Sequence, residues 1–174
     1  AAAHRAGATL SIDAVELHEG RTAIAQERLA RANVMDVVSH AMDARQLADS
    51  TTLGGMDADV VFVDAPCSGT GTMRRHPEIA STLVPEAISA TAPEGLPALQ
   101  LQILTAASTR VCGGGALLYS TCSVVGAENQ GVVDAFLGSG EGSSFEAVAL
   151  DDAPGMASLP APARDFVLAH KNGH

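Results

Sequence analysis

Hydrophobic positions alternate along the chain between short apolar runs and longer stretches in which apolar residues recur every three or four positions, the two periods that separate strand from helix. Thr9-Leu10-Ser11-Ile12-Asp13-Ala14-Val15 predicts a strand, with Glu16 at or just past its carboxyl end. From Glu19 to Ala32, Ile24, Leu29 and several alanines are set among Arg21, Gln26, Glu27, Arg28 and Arg31. That is an amphipathic helix, with Asn33 as its stop. Val37 and Val38 begin a second strand that ends at Met42-Asp43-Ala44-Arg45, and Val60-Val61-Phe62-Val63 predicts a third, buried one. Residues 85–97, with Pro85, Pro93, Gly95 and Pro97, predict a loop with one helical turn at most. Leu101, Leu104, Ala107 and Val111 fall on one face of a helix from Ala98 to Val111, stopped by Gly113-Gly114-Gly115, with Cys112 as a packing residue at its end.

Ala116-Leu117-Leu118-Tyr119 then predicts a buried strand, and Val125 to Leu137 a helix with Glu128 and Asn129 in its first turn. Phe145 to Leu150 and Phe166 to His170 predict two strands paired antiparallel at a sheet edge. This order is α/β with a mostly parallel sheet. Ala1 to Ala6 resembles the end of an Ala-rich helix, so the start of the domain is expected upstream.

Composition narrows the class. With 174 residues, 47% of them hydrophobic, the chain is long enough for one full core, and a single catalytic domain over 1–174 is expected. No apolar run approaches the roughly 20 residues of a membrane span, and no basic segment followed by an apolar one opens the chain. A soluble, cytoplasmic protein is expected. The three cysteines, Cys67, Cys112 and Cys122, form no CxxC pair and no zinc-type cluster, which points to reduced thiols and no metal. A formal net charge of −10 argues against broad attraction to phosphate backbones, so any grip on nucleic acid must be local or come from another domain.

The chemistry concentrates in Asp64-Ala65-Pro66-Cys67-Ser68-Gly69-Thr70-Gly71, directly behind the third strand. A strand ending in an acid and running into a Gly-rich turn delivers a carboxylate and a thiol into a loop. The same residues also read as a turn cap and a small buried hydrophobe. A second thiol, Cys122 in Ser120-Thr121-Cys122-Ser123, follows another strand. Parallel strands put their carboxyl-end loops on one rim, so Cys67 and Cys122 could share a pocket with Glu16, Asp43 and Asp64. Thiols beside carboxyl groups suggest nucleophilic catalysis with a carboxyl as proton donor or base. Arg74-Arg75-His76 carries the densest positive charge and either contacts RNA phosphates or stands solvated before a helix opened by Pro77.

These motifs carry a resemblance. Asp64 to Gly71, Arg74-Arg75-His76-Pro77-Glu78, Gln100 with Ile103-Leu104, Gly114-Gly115, Tyr119-Ser120-Thr121-Cys122-Ser123 and Glu128-Asn129 resemble, in order and spacing, the S-adenosylmethionine-dependent RNA cytosine-5 methyltransferases, in particular the bacterial 16S rRNA branch. The resemblance runs from about Val15 to Leu137. It implies a Rossmann-like class I methyltransferase fold, apparently without its first strand, and an rRNA substrate. It implies Cys122 as the nucleophile on carbon 6 of cytosine, Cys67 as the thiol that assists product release, and Asp64 as the group at nitrogen 3 of the ring. Glu16 matches the ribose-binding acid and Asp43 the adenine-contacting acid, with Asp64 also beside the cofactor. The family's Gly-rich cofactor loop and N-terminal RNA-binding region have no counterpart in this sequence. A non-catalytic RNA- or protein-binding fragment that keeps the fold is the alternative.

Overall fold

The computed structural model describes residues 11–34, 36–49, 51, 53, 57–148 and, as backbone, 168–172. The chain divides into two compact units, Ala1–Gly55 and Met56–His174, each described by itself.

In the first unit β1 (Ile12–Glu16) pairs in parallel with β2 (Val37–Ala41), and α1 (Glu19–Arg31) connects them. The hydrophobic pattern set all three. Asn33 adopts φ 55°, and the Val34 N–H reaches back to the Leu29 carbonyl at 3.0 Å. This is the left-handed ending that satisfies the last carbonyls of a helix, and it bears out Asn33 as the stop. Glu16 lies opposite Ala41, so Glu16 and Asp43 emerge from the same end of this small sheet. Thr9 and Leu10, the start of the expected first strand, lie outside the described residues.

The second unit holds a four-stranded sheet in the order β3 (Ala58–Asp64), β4 (Val111–Ser120), β6 (Leu168–Asn172), β5 (Phe145–Val148). β3 and β4 are parallel, and β6 runs antiparallel to both β4 and β5. The expected antiparallel pair is thus present, with β6 inside the sheet and β5 at its edge. Residues 149–150 and 166–167, at the ends of those expected strands, lie outside the described residues. Between β3 and β4 lie α2 (Ile79–Thr82) and α3 (Leu96–Ser108), and α4 (Gln130–Leu137) follows β4. Leu104 and Ala107 of α3, Leu117 and Tyr119 of β4, and Val132, Val133 and Phe136 of α4 are buried. Phe136 also meets Phe145 of β5, the ring centres 5.4 Å apart and tilted by 58°.

Three expectations are corrected. Pro97 lies in the first turn of α3 and not in the preceding loop, because the first backbone N–H groups of a helix have no intrahelical partner for proline to remove. That helix ends at Ser108 and not at the glycines. The hydroxyls of Ser108 and Thr109 donate to the Thr105 and Ala106 carbonyls at 2.7 and 2.8 Å and take up its last acceptors. Gly113-Gly114-Gly115 and Cys112 therefore belong to β4. Ala58 pairs with Val111 but Val60 with Ala116, so residues 112–115 bulge out of register, with Gly114 at φ 80°. Finally, β3 is not buried on both sides: Val63 is 7% exposed, whereas Val60 and Phe62 are 58% and 59% exposed. Among the described residues, no helix is long and apolar enough to cross a membrane.

Candidate functional site

The register of β3 on β4 builds the site. Asp64 pairs with Ser120, so the two parallel strands end level, and the Ala65 N–H extends the ladder by donating to the Ser120 carbonyl at 2.9 Å. The loops that leave these ends carry Cys67 three residues beyond Asp64 and Cys122 two residues beyond Ser120. Their sulfurs lie 3.2 Å apart, within hydrogen-bond distance. Cys122 is exposed and Cys67 half-buried.

The hydrogen bond to Cys67 is the largest cause raising the Cys122 pKa above its ordinary value. Partial burial adds to it, as do the charges of Cys67 and Asp64. The bond to Cys67 therefore favours the protonated thiol form of Cys122.

Close backbone approach keeps the loops together. The Gly71 N–H donates to the Cys122 carbonyl at 2.9 Å, and a Cβ at residue 71 would stand 2.7 Å from that same oxygen. Only glycine fits there. The Thr70 hydroxyl lies 3.0 Å from the Ser123 hydroxyl and accepts the Val124 N–H at 3.0 Å. On the second loop Asn129 accepts from the Thr121 hydroxyl at 2.7 Å and donates to the Ser123 and Val125 carbonyls.

Beneath both loops lies Glu128, fully buried in the 3-10 turn Gly126–Glu128. Its Oε1 accepts the Ser68 N–H at 2.8 Å and the Gln100 side-chain N–H at 3.0 Å. Its Oε2 accepts the hydroxyls of Ser68 and Ser123, both at 2.5 Å. Gln100, also fully buried, donates as well to the Pro66 carbonyl at 2.8 Å. The Tyr119 hydroxyl donates to the Glu128 carbonyl at 2.7 Å. Burial, reinforced by the Glu128 charge, pushes the Tyr119 phenol above its ordinary range. The helix expected from Val125 begins only at Gln130, so Glu128 lies in a separate 3-10 turn and Asn129 just before the helix, not in its first turn. The signal that marks Glu128 is that it is the only charged residue between Arg110 and Asp134.

Of the residues picked from the sequence, Cys67 and Cys122 are brought together, and Asp64 ends the strand beside them. Asp64 is exposed, on the same face of β3 as Phe62. Arg74, Arg75 and His76 are all exposed, in the turn between Thr70–Thr72 and α2, with His76 Nδ1 3.2 Å from Glu78 Oε1.

In the first unit, Glu16 and Asp43 each hold an arginine. Glu16 Oε2 lies 3.3 Å from Arg21 Nε, and its Oε1 accepts the His18 N–H. The Arg45 guanidinium, with its closest contact at 2.6 Å, and the Arg45 backbone N–H hold the Asp43 carboxyl below its usual range. Both carboxylates stand at a strand end with oxygens that can accept the hydroxyls of a ribose or the amino group of a base, so they fit a nucleoside cofactor.

Comparison with known proteins gives the family and the fold. The chain is 36% identical over 149 residues to ribosomal RNA small subunit methyltransferase B of Yersinia pseudotuberculosis, and equally to that of Yersinia pestis. The match takes in 86% of this chain but 33% of each relative, so the chain spans about a third of their length. Among solved structures, NSun6 from Pyrococcus horikoshii with SFG superposes with a TM-score of 0.69 at 24% identity, over 94% of this chain and 42% of that one. An rRNA methylase from Streptococcus thermophilus superposes with a TM-score of 0.55 at 13% identity, over 99% and 80% of the two chains. These likenesses show the Rossmann-like class I methyltransferase fold. Residues 4–166 match the family described as 16S rRNA methyltransferase RsmB/F, and the chain belongs to that family.

Proposed function

We propose that this chain is the catalytic part, acting as a single domain, of an enzyme that methylates carbon 5 of a cytosine in ribosomal RNA through a covalent cysteine adduct. The observation that carries the reading is the 3.2 Å approach of Cys67 and Cys122 at the ends of two neighbouring parallel strands. One thiol suffices for a nucleophile, and a second in contact with it calls for a second role.

The reaction assigns both. Cys122 ionises, its proton passing to water at the exposed sulfur, and the thiolate adds to carbon 6 of the ring, so that electron density flows toward carbon 5. Asp64, acting as a carboxylic acid, donates a hydrogen bond or its proton to nitrogen 3 of the ring and so spreads the charge that builds there. S-adenosylmethionine, when bound, supplies the methyl group, and Glu16 and Asp43 would hold its ribose and adenine. After carbon 5 has been methylated, its proton leaves to water, the bond between sulfur and carbon 6 breaks as the ring double bond re-forms, and Cys122 departs as a thiolate. Cys67 assists that departure as the hydrogen-bonding partner already in place. Arg74, Arg75 and His76 are the local positive patch for RNA phosphates in an otherwise acidic chain. Such an enzyme works in the cytoplasm, where thiols stay reduced.

The test is an adduct assay on denaturing gels with a 16S rRNA transcript and S-adenosylmethionine. Cys67→Ala is expected to accumulate a protein–RNA adduct, and Cys122→Ala to form none. An adduct in Cys122→Ala, or none in either variant, overturns the assignment.

A further inference from the structure

Glu128 contributes nothing to the chemistry just described, yet its carboxylate accepts four hydrogen bonds, one of them from Gln100 of α3. The other three come from Ser68 and Ser123, and these are the residues that directly follow Cys67 and Cys122. No other side chain among the described residues is bonded to both of those serines and fully buried at once. A fully buried carboxylate is costly unless each oxygen is satisfied; Oε1 has Gln100 as well as Ser68, but Oε2 is satisfied only by the serines of the two loops and only while those loops stay where they are. The backbone carbonyl of the same residue is held by Tyr119 at 2.7 Å, which fixes the carboxylate to β4.

We propose that Glu128 is a positioning residue that holds the Cys67 and Cys122 loops in mutual register, so that the two sulfurs meet. Its catalytic consequence rests on the function proposed above; its geometric consequence does not. Replacing Glu128 with Gln keeps the shape but puts an N–H₂ where the Oε2 acceptor stood, so the Ser68 and Ser123 hydroxyls can no longer donate to a carboxylate and must turn to accept instead. The buried tie between the two loops is weakened even if the core is kept, while the Gly71–Cys122 and Thr70–Val124 bonds above it remain. Because misplacement by about 1 Å can cost roughly 10²-fold in rate, the loss is expected in kcat with KM for RNA unchanged.

The sulfur separation can be read without turnover. Diamide oxidises two neighbouring thiols to a disulfide: each sulfur loses its proton and one electron, the S–S bond forms, and diamide takes both hydrogens to become the hydrazine. The rate of Cys67–Cys122 disulfide formation, followed by peptide mass mapping, therefore reports how often the sulfurs meet. Thermal melting and the rate of Cys112 alkylation serve as controls for the fold. Glu128→Gln is expected to slow disulfide formation at least tenfold and lower kcat about 10²-fold while Cys112 alkylation is unchanged. Where Glu128→Gln does not fold, the paired Ser68→Ala, Ser123→Ala variant removes the donors from the opposite side and is expected to slow disulfide formation in the same direction. Disulfide formation at the parental rate in a folded variant overturns the proposal. Slowed disulfide formation in a protein whose parent shows no methyl transfer upholds the positioning role and counts against the proposed function alone.

Discussion

Of the apolar side chains buried among the described residues, Leu47 alone lies in the unit Ala1–Gly55, whereas Leu104, Leu117, Tyr119, Val132, Val133 and Phe136 fill the interior of Met56–His174. The polar groups divide the same way. In the thiol-bearing unit the bonds that matter are buried and converge on one carboxylate. In the unit that carries Glu16 and Asp43 they are ion pairs to arginines that are 70% and 49% exposed. The difference teaches where rigidity is needed. Two sulfurs that must meet within an ångström require loops fixed from beneath. Carboxylates that receive hydroxyl or amino groups need only be presented at a strand end, and an exposed ion pair is a weak partner that such groups can displace.

The largest effect expected from this contrast is on stability. Phe136 is fully buried with its ring tilted against Phe145, so Phe136→Ala should cost about 3–5 kcal/mol in chemical denaturation. Ile24, 51% exposed on α1 of the other unit, should change stability by no more than about 0.5 kcal/mol when replaced by Ala. Comparable losses at the two positions would remove the distinction between the units. A smaller and more local effect is expected at Gly71. A Cβ placed 2.7 Å from the Cys122 carbonyl must push the two loops apart, and such overpacking costs about 1–3 kcal/mol. Gly71→Ala should also weaken the contact between the sulfurs, seen as faster alkylation of Cys122. Unchanged stability and unchanged alkylation together would show that the loops are less tightly coupled than their hydrogen bonds indicate.

Which parts of this were legible beforehand follows from where each signal is written. Periodicity located β1, α1 and β2, and the end but not the start of α4, because their apolar spacing is intrinsic to the segment, and the acids at the ends of β1 and β2 and the two thiols followed from strand direction alone. The glycine run at 113–115 failed as evidence because glycine serves a helix stop and a β-bulge equally well. The Ser108 and Thr109 hydroxyls that end α3 resemble any polar residues in sequence. The exposed Val60 and Phe62 face was hidden because a continuous apolar run reads as buried on both sides whether or not it is. Glu128 stood out in sequence, but its role was hidden for a different reason. Its partners Ser68 and Gln100 lie 60 and 28 residues away, and only the level ends of β3 and β4 bring Ser68 and Ser123 to the same oxygen.

The subtlest prediction concerns how the thiol-bearing unit sets the reactivity of its own nucleophile. The Cys122 pKa is raised chiefly by its hydrogen bond to Cys67, and further by burial and by the Cys67 and Asp64 charges. Alkylation by iodoacetamide proceeds through the thiolate, so its rate climbs as pH approaches the thiol pKa from below. Cys67→Ala removes the largest of these causes, which stabilises the thiolate relative to the thiol. The pH profile for alkylation of Cys122, resolved from Cys112 by mass mapping, should therefore move to lower pH, with a faster rate at pH 7.5. Asp64→Asn takes away a lesser cause and should move the profile the same way by a smaller amount. A profile that stays in place in Cys67→Ala, or moves to higher pH, would mean that contact with Cys67 does not hold the Cys122 proton. The buried network would then fix the positions of the two sulfurs without setting the charge on either.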